Sequence, residues 1–407
     1  MEKETETSSE RTGEWKMKKF VAMLCVAGLL TGCAVSGEKK TDEVKPEAPA
    51  QTEETKEETA KPEEKTETAA ETENEGDEQV MPENFRELFA IEAEGIDYLS
   101  VEGIEVPEGT AISMIGKDSA SGFWKRVKAG AEQAVTDINE ALGYTGNAKV
   151  KLTYDAPSKE NVSEQIDIID QMLDKNPDAL IVGYVDVNSG KTQLELAESN
   201  GVPVFAVDSS IQNSLIETET KTDNYKAAAE AADRLCEAIG DSGEVALLVH
   251  SSETETGIER EKGFREEIEQ NHPNVQIIDT TYVNQDERSA EEIVAAVMAE
   301  HPELKAYFGT NDNVTRVLAA VVSKFAPEGQ TVVAAGFDTS AKLVQAVKDG
   351  TLTGVMGQDA FGMGYACAVS ALRSIASLDN ASVIEPGYYW INAENADDSV
   401  TQMLTYK

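Results

Sequence analysis

Short apolar runs in this sequence end, one after another, in residues able to hold a polar guest. Ala111–Ile115 is followed by GKDSASGFWK, which supplies Asp118, Ser121, Phe123 and Trp124. The run ending at Val207 gives way to Asp208 and Ser209. Further on come HSSETE (250–255), NQDE (284–287), TND (310–312) with Asn311, FDTS (337–340) with Asp338, and GQD (357–359) with Gln358, while IEREKGF carries Arg260. Carboxylates accept hydrogen bonds, amides and a guanidinium donate them, and an aromatic pair offers a flat apolar face. Together they suit a molecule with hydroxyls at its rim and C–H bonds on its face, a polyol or a sugar. Ser, Thr, Asp and Asn at such places also cap helices, so capping competes with binding at each single position. Seven such loops in one chain favour a shared cleft.

Covalent chemistry finds little support in the same residues. No HExxH, P-loop, GxSxG or GxGxxG spacing occurs. Of the three histidines, His272 and His301 precede prolines. The expectation is a protein that is not an enzyme and that needs neither cofactor nor metal. A pair of cleft carboxylates acting as in glycosidases is the weaker alternative.

Polar tips can meet only if the elements beneath them are ordered alike. Strand candidates alternate with amphipathic helices: Ala111–Ile115, Lys149–Tyr154, Ala179–Tyr184 and Pro203–Val207, then Val245–Val249, Val275–Val283, Ala306–Phe308, Val332–Phe337 and Leu352–Met356. The helix after GKDSASGFWK repeats apolar side chains at Val127, Ala131, Ala134, Ile138 and Leu142, at helical spacing. Alternation of this kind predicts an α/β fold with doubly wound parallel sheets, whose carboxyl-terminal loops converge along one edge. A break near TETKTDNYKAAAEAADRL divides the strands into two similar lobes, and 407 residues are enough for two cores.

Charge and the N-terminal segment place the protein. Asp and Glu number 76 against 35 Lys and Arg, a formal charge of -41, so nucleic acid is excluded as a partner for want of a basic face. Met17–Cys33 reads as two lysines, an apolar stretch and small residues, a secretory signal too short to span a bilayer permanently. Its LLTGC ending resembles the bacterial lipoprotein box, which makes Cys33 the lipidation site. Residues 1–16 fit no signal, and translation is expected to begin at Met17. The acidic Glu/Thr/Lys/Pro tract that follows lacks the apolar surface to offset its ordering entropy, and as a coil it would span roughly 35–40 Å. Cys236 and Cys367 fall in helical patterns, where a small buried residue is the simplest reading.

From Thr110 onward the chain resembles the bacterial type I periplasmic binding proteins of the ribose-binding type, the solute receptors of sugar ABC transporters. The resemblance is carried by SGFWKRVKAGAEQA, GVPVFAVDSS, KTDNYKAAAEAADRL, IEREKGFREEI, YFGTNDNVTRVLAAV, AAGFDTSAKLVQAVKDG and GVMGQDAFGMGYA. It implies two lobes joined by a three-strand hinge. Residues 1–32 would be leader and signal, 33–79 a lipid-anchored linker and 80–108 a segment before the folded body. The first lobe would be 109–221 plus 359–386, the second 222–358 plus 387–407. It further implies that Phe123 and Trp124 stack on a ligand, that Asp208 and Asp338 accept from its hydroxyls, that Arg260 donates, and that Asn311 and Gln358 act as amides. Asp118, Ser121 and Ser209 complete the expected site. Ser209 stands where ribose binders have an arginine, Ser121 replaces an asparagine, and Gln285 and Asp286 lie near the place of a missing aromatic. The implied partners are a small sugar-like ligand, permease subunits and the membrane through the lipid on Cys33, with the receptor a monomer outside the cytoplasm. A signalling receptor of the same fold is the alternative function.

Overall fold

The computed structural model describes residues 84–407. The signal segment, Cys33 and the acidic tract lie outside the described residues. Among the described residues no helix is long and apolar enough to cross a membrane.

The described chain opens with a short helix, α1 (Phe85–Leu88), and a small hairpin, β1 (Glu92–Ala93) and β2 (Ile96–Asp97). Sequence places this stretch ahead of the folded body. The structure packs it in: Phe85, Phe89, Ile91 and Tyr98 are buried, and Tyr98 accepts a hydrogen bond from the Ala381 N–H at 2.7 Å. Four large apolar side chains within fourteen residues give the segment enough buried area to stay docked.

Strands and helices then alternate as β3 (Ala111–Ile115), α2 (Gly122–Leu142), β4 (Lys151–Asp155), α3 (Val162–Leu173), β5 (Ala179–Val182), α4 (Lys191–Asn200), β6 (Val204–Val207) and β7 (Ile216–Thr220). The second series is α5 (Asn224–Ala238), β8 (Gly243–Val249), α6 (Glu255–Asn271), β9 (Val275–Tyr282), α7 (Ala290–Glu300), β10 (Leu304–Gly309), α8 (Asp312–Phe325), β11 (Val333–Phe337), α9 (Ala341–Lys348) and β12 (Gly354–Gln358). The chain closes with α10 (Ala360–Ile375), β13 (Val383–Ile384), β14 (Tyr388–Ile391) and α11 (Ser399–Leu404).

Two six-stranded sheets result, in the orders β13-β7-β6-β5-β3-β4 and β14-β12-β11-β10-β8-β9. All pairings in the first are parallel, and in the second only β12 with β14 is antiparallel. The chain therefore passes from one sheet to the other three times: after β7, after β12 and after β13. This is the two-lobed, doubly wound α/β architecture with three crossings. Nine strands read from sequence are all present, with ends moved by a residue or two. β7 escapes the sequence because IETET alternates acids with threonines; Thr218 and Thr220 are wholly buried while Glu217 faces out. Runs of fully buried residues in β5, β6 and β12 fit strands covered on both faces.

Helix α2 sets the entrance to the site. It crosses α10 closely, because Gly130 faces the Phe361 carbonyl and Gly364 faces that of Val127, with no room for a Cβ at either. That crossing holds the first turn of α2, with Phe123 and Trp124, at the carboxyl edge of β3.

Candidate functional site

Two aspartates mark the site, one on each sheet. Asp208 follows β6 with φ 65°, and Asp338 follows β11 with φ 82°. A left-handed backbone is uncommon for residues other than glycine, and such conformations cluster where a side chain must be aimed. Both carboxylates are buried, and both line one cavity of about 500 Å³ between the sheet edges. That volume suits a small ligand.

On the first lobe, Lys117 Nζ lies 2.7 Å from Asp208 Oδ2, both side chains 5% exposed. The ammonium also stands 5.8 Å from the Trp124 ring centroid. Trp124 is only 3% exposed; its indole fills the space above Gly116 and Gly183, where a Cβ would collide with it. Sequence reads the aromatic pair as an open platform, whereas the structure makes Trp124 a packed wall. Phe123 leans edge-on against it, ring centroids 5.8 Å apart, and against Tyr406 at 6.2 Å.

On the second lobe, three guanidinium contacts fix Arg260. Nε donates to Asn224 Oδ1 at 2.8 Å, Nη1 to the Thr310 carbonyl at 2.8 Å and Nη2 to Gln358 Oε1 at 2.9 Å. Phe337 supports its plane from 4.0 Å. Of the five N–H groups of an arginine, two are left for a guest. Gln358 Nε2 donates to Asp338 Oδ1 at 2.6 Å, and the Asp312 N–H donates to Oδ2 at 2.8 Å. Burial raises the Asp338 carboxyl to about 6, against the opposing pull of Arg260. His250, beneath this wall, contacts Thr310 Oγ1 through Nδ1 at 2.7 Å. Burial first, then Arg260 and Lys117, hold its pKa well below the ordinary value, so it is neutral.

Nine of the ten expected ligand-binding residues, Asp118, Ser121, Phe123, Trp124, Asp208, Arg260, Asn311, Asp338 and Gln358, come together around this cavity. Ser209 does not: it lies behind the wall, buried, with its hydroxyl unpartnered. Asn311 serves twice, because its Oδ1 caps α8 through the Val314 N–H while the residue lines the cavity. Asp118 likewise accepts from the Ala120 N–H at 2.8 Å. The NQDE loop is elsewhere: Gln285 donates to Ser252, and Asp286 pairs with Arg288.

The aromatic that sequence finds missing from the second half enters as Tyr406. It reaches the cavity because the Tyr406 N–H donates to the Thr339 carbonyl and the residue bridges Ser340. No local pattern could announce that, since the contact is set by the folding back of the C-terminal segment. Lys117, Glu160, His250, Thr256 and Arg316 also line the cavity unforeseen, although Lys117 and His250 sit in loops that sequence singles out. Three lining oxygens are buried without partners, Asp312 Oδ1, Ser340 Oγ and Tyr406 Oη, while Arg316 Nε lies 2.6 Å from Asp312 Oδ2 as an ion pair. Buried polar atoms rarely stay unpaired, and three around one cavity define where a guest's hydroxyls would bond.

The family described as periplasmic binding protein domain matches residues 112–377. The ribose import binding protein RbsB of Bacillus subtilis is 25% identical over 202 residues, 49% of this chain and 64% of that protein. A D-apiose import binding protein of Paraburkholderia graminis is 24% identical over 50% of this chain and 66% of its own length, so the chain spans slightly less than two thirds of either. A D-ribose/D-allose-binding protein of Pseudomonas aeruginosa is 22% identical over 68% of this chain and 86% of its length. Among solved structures, an ABC transporter solute-binding protein of Agrobacterium vitis bound with alpha-D-tagatopyranose shares the fold with a TM-score of 0.67. It is 24% identical and covers 73% of this chain and 99% of its own.

Proposed function

The chain belongs to the periplasmic binding protein family, and from that premise we propose that it is a non-catalytic receptor that closes on a sugar or sugar-like polyol and delivers it to an ABC permease. The observation that carries the reading is the ring of unpartnered buried atoms, Asp312 Oδ1, Ser340 Oγ and Tyr406 Oη, beside the two free N–H groups of Arg260. Donors and acceptors mixed around an aromatic wall match a neutral polyhydroxylated ring, which offers both at once. The curated relatives bind ribose, apiose and allose by name, which supports a monosaccharide.

Ligand contacts supplied by both lobes favour the closed arrangement, because only there are all of them made. Each polar group left unpaired by a wrong guest imposes a cost of burial, and so discriminates among sugars. Lipid on Cys33, with the acidic tract as tether, would hold the receptor at the outer face of the cell membrane, in reach of its permease. The receptor works as a monomer, its site being completed within one chain.

A thermal-shift screen of monosaccharides, polyols and nucleosides tests the ligand class. A true ligand at a hundred times its dissociation constant adds about 2.7 kcal/mol of apparent stability. Stabilisation by no neutral polyhydroxylated compound, or turnover of a bound glycoside, would remove the reading. Radiolabelled palmitate incorporation that persists after Cys33→Ser would remove the anchor alone.

A further inference from the structure

Away from the cleft, the outer face of the second lobe carries a cluster with no role in the proposed transport. We propose that Asp233, Glu267 and His272 bind one divalent transition-metal ion, of which Zn²⁺ is the test case, with Asp241 orienting the imidazole. Asp233 lies on α5, Glu267 on the last turns of α6, and His272 caps the end of α6. Each offers one donor atom, and these lie within 4.8 Å of one another.

The imidazole is the informative member. His272 is 7% exposed, and its Nδ1 lies 2.9 Å from Asp241 Oδ1. A carboxylate on one ring nitrogen fixes the tautomer and directs the lone pair of the other, which is the outer-shell arrangement of metal-bound histidines. The other nitrogen, Nε2, is buried without a hydrogen-bond partner. It lies 3.5 Å from Asp233 Oδ1 and 3.9 Å from Glu267 Oε1. Neither oxygen is close enough to form a good hydrogen bond with Nε2. The spacing instead approaches the edge of a tetrahedron around Zn²⁺, about 3.3–3.6 Å for bonds of about 2.0–2.2 Å.

The surroundings allow the remaining closure. Asp233 is 45% exposed and free to swing, whereas Glu267 Oε1 is steadied by a 2.7 Å bond from Asn271 Nδ2. Two carboxylates and a neutral imidazole cancel the charge of a divalent ion and leave positions for water. One nitrogen and two oxygens favour Zn²⁺ and its first-row neighbours over Ca²⁺ or Mg²⁺, which take oxygen ligands. Bound metal would pin the end of α6 to α5. The chain shows no ligand spacing in sequence because the three donors come from two helices and the turn after the second.

The test is titration of the full chain, freed of metal by a chelator, with Zn²⁺ by calorimetry and with Co²⁺ by visible absorption, both in excess Ca²⁺ and Mg²⁺. The expectation is one equivalent bound, with a rise in melting temperature. Asp233→Asn, at a half-exposed position that does not threaten folding, should weaken binding by at least tenfold, and His272→Gln by about a hundredfold. Asp241→Asn should weaken it about tenfold through the outer shell. Unchanged affinity in Asp233→Asn and His272→Gln would overturn the site, as would displacement of Zn²⁺ by equimolar Ca²⁺. Sugar binding is read separately, so loss of either property leaves the other standing.

Discussion

Arg260 donates to Gln358 across 2.9 Å, and Gln358 passes the contact on to Asp338 at 2.6 Å. The same Gln358 Oε1 accepts from Thr222 Oγ1 at 2.9 Å. Thr222 and Gln358 stand at two of the chain's crossings between lobes, so the ligand wall and the hinge share one amide. Gln358→Glu replaces the donor facing Asp338 by a second carboxylate, and two carboxylates that close repel each other once both are ionised. Ligand affinity should fall by at least about thirtyfold at pH 8 and recover in part at pH 5, where the pair retains a proton. Calorimetry at both pH values checks this; an equal loss at both would mean that charge is not the cause.

Arg260→Ala should damage the empty protein as well as binding. It strands Asn224, the Thr310 carbonyl and Gln358 without their guanidinium contacts and leaves the buried Asp338 without the positive charge near it, a change that costs about 3–5 kcal/mol when one partner of a buried charge is removed. Arg260→Lys should rescue little, because an ammonium cannot reproduce the fork or stack on Phe337. Chemical denaturation without ligand reads the stability loss directly, and an unshifted midpoint would contradict the network.

Trp124 should matter to stability as well as to binding. Trp124→Ala empties the space over Gly116 and Gly183 and should lower stability by about 3–5 kcal/mol. Gly183→Ala attacks the same contact from below: its Cβ would displace the indole, and affinity should drop while the polar wall stays intact. Intrinsic fluorescence before and after ligand addition reports the indole's surroundings. A Gly183→Ala protein with native affinity would show that the ring position is unimportant to binding.

Acid should act on the site through Asp338. Its carboxyl sits at about 6 by burial, above an ordinary 3.8. The folded state thus holds the proton more tightly than the unfolded chain does. Stability from this group is present below pH 3.8 and is lost as pH rises through 6, on the order of 3 kcal/mol. Asp359, raised to about 7 by burial against the Gly362 N–H and Arg126, acts in the same direction. Ligand affinity runs the other way, because a hydroxyl donating to Asp338 needs the carboxylate, so binding should weaken below about pH 6. Asp338→Asn should flatten the binding profile and leave only the Asp359 share of the stability profile; a binding profile still falling below pH 6 in that variant would assign the titration to another group.

The lobes and most of the wall could be read from sequence because they rest on local pattern. Apolar runs punctuated by Asp, Asn and Ser fix each strand and the residue at its tip, as at Val207-Asp208 and Phe337-Asp338. What could not be read depends on contacts between distant segments. Trp124 looks exposed until Gly183, fifty-nine positions on, is brought beneath it, and Tyr406 enters the cavity only because the C-terminal segment bridges Ser340. Ser209 does not line the cavity: it is buried, and its carbonyl accepts from the Tyr184 N–H at 2.9 Å.

Glu255 links the lobes where they approach outside the cavity. It accepts from the Ser210 N–H of the first lobe and pairs with Lys221, the residue before the first crossing. Burial works against the Lys221 ammonium, but Glu255, with Glu259 and Glu219, more than offsets it and holds its pKa above the ordinary value. These contacts exist only while the lobes are together, so they favour closure and slow ligand escape. Lys221 and Glu255 are 15% and 17% exposed, which places the pair between a surface bridge and a buried one, about 1–3 kcal/mol. Glu255→Gln keeps an acceptor but removes the charge. It should speed ligand dissociation by about tenfold and leave association unchanged, since the open state does not contain the bond. Stopped-flow mixing measures both rates, dissociation by displacement with a competitor and association by direct addition of ligand. Unaltered dissociation would mean that the hinge, and not this pair, holds the lobes shut.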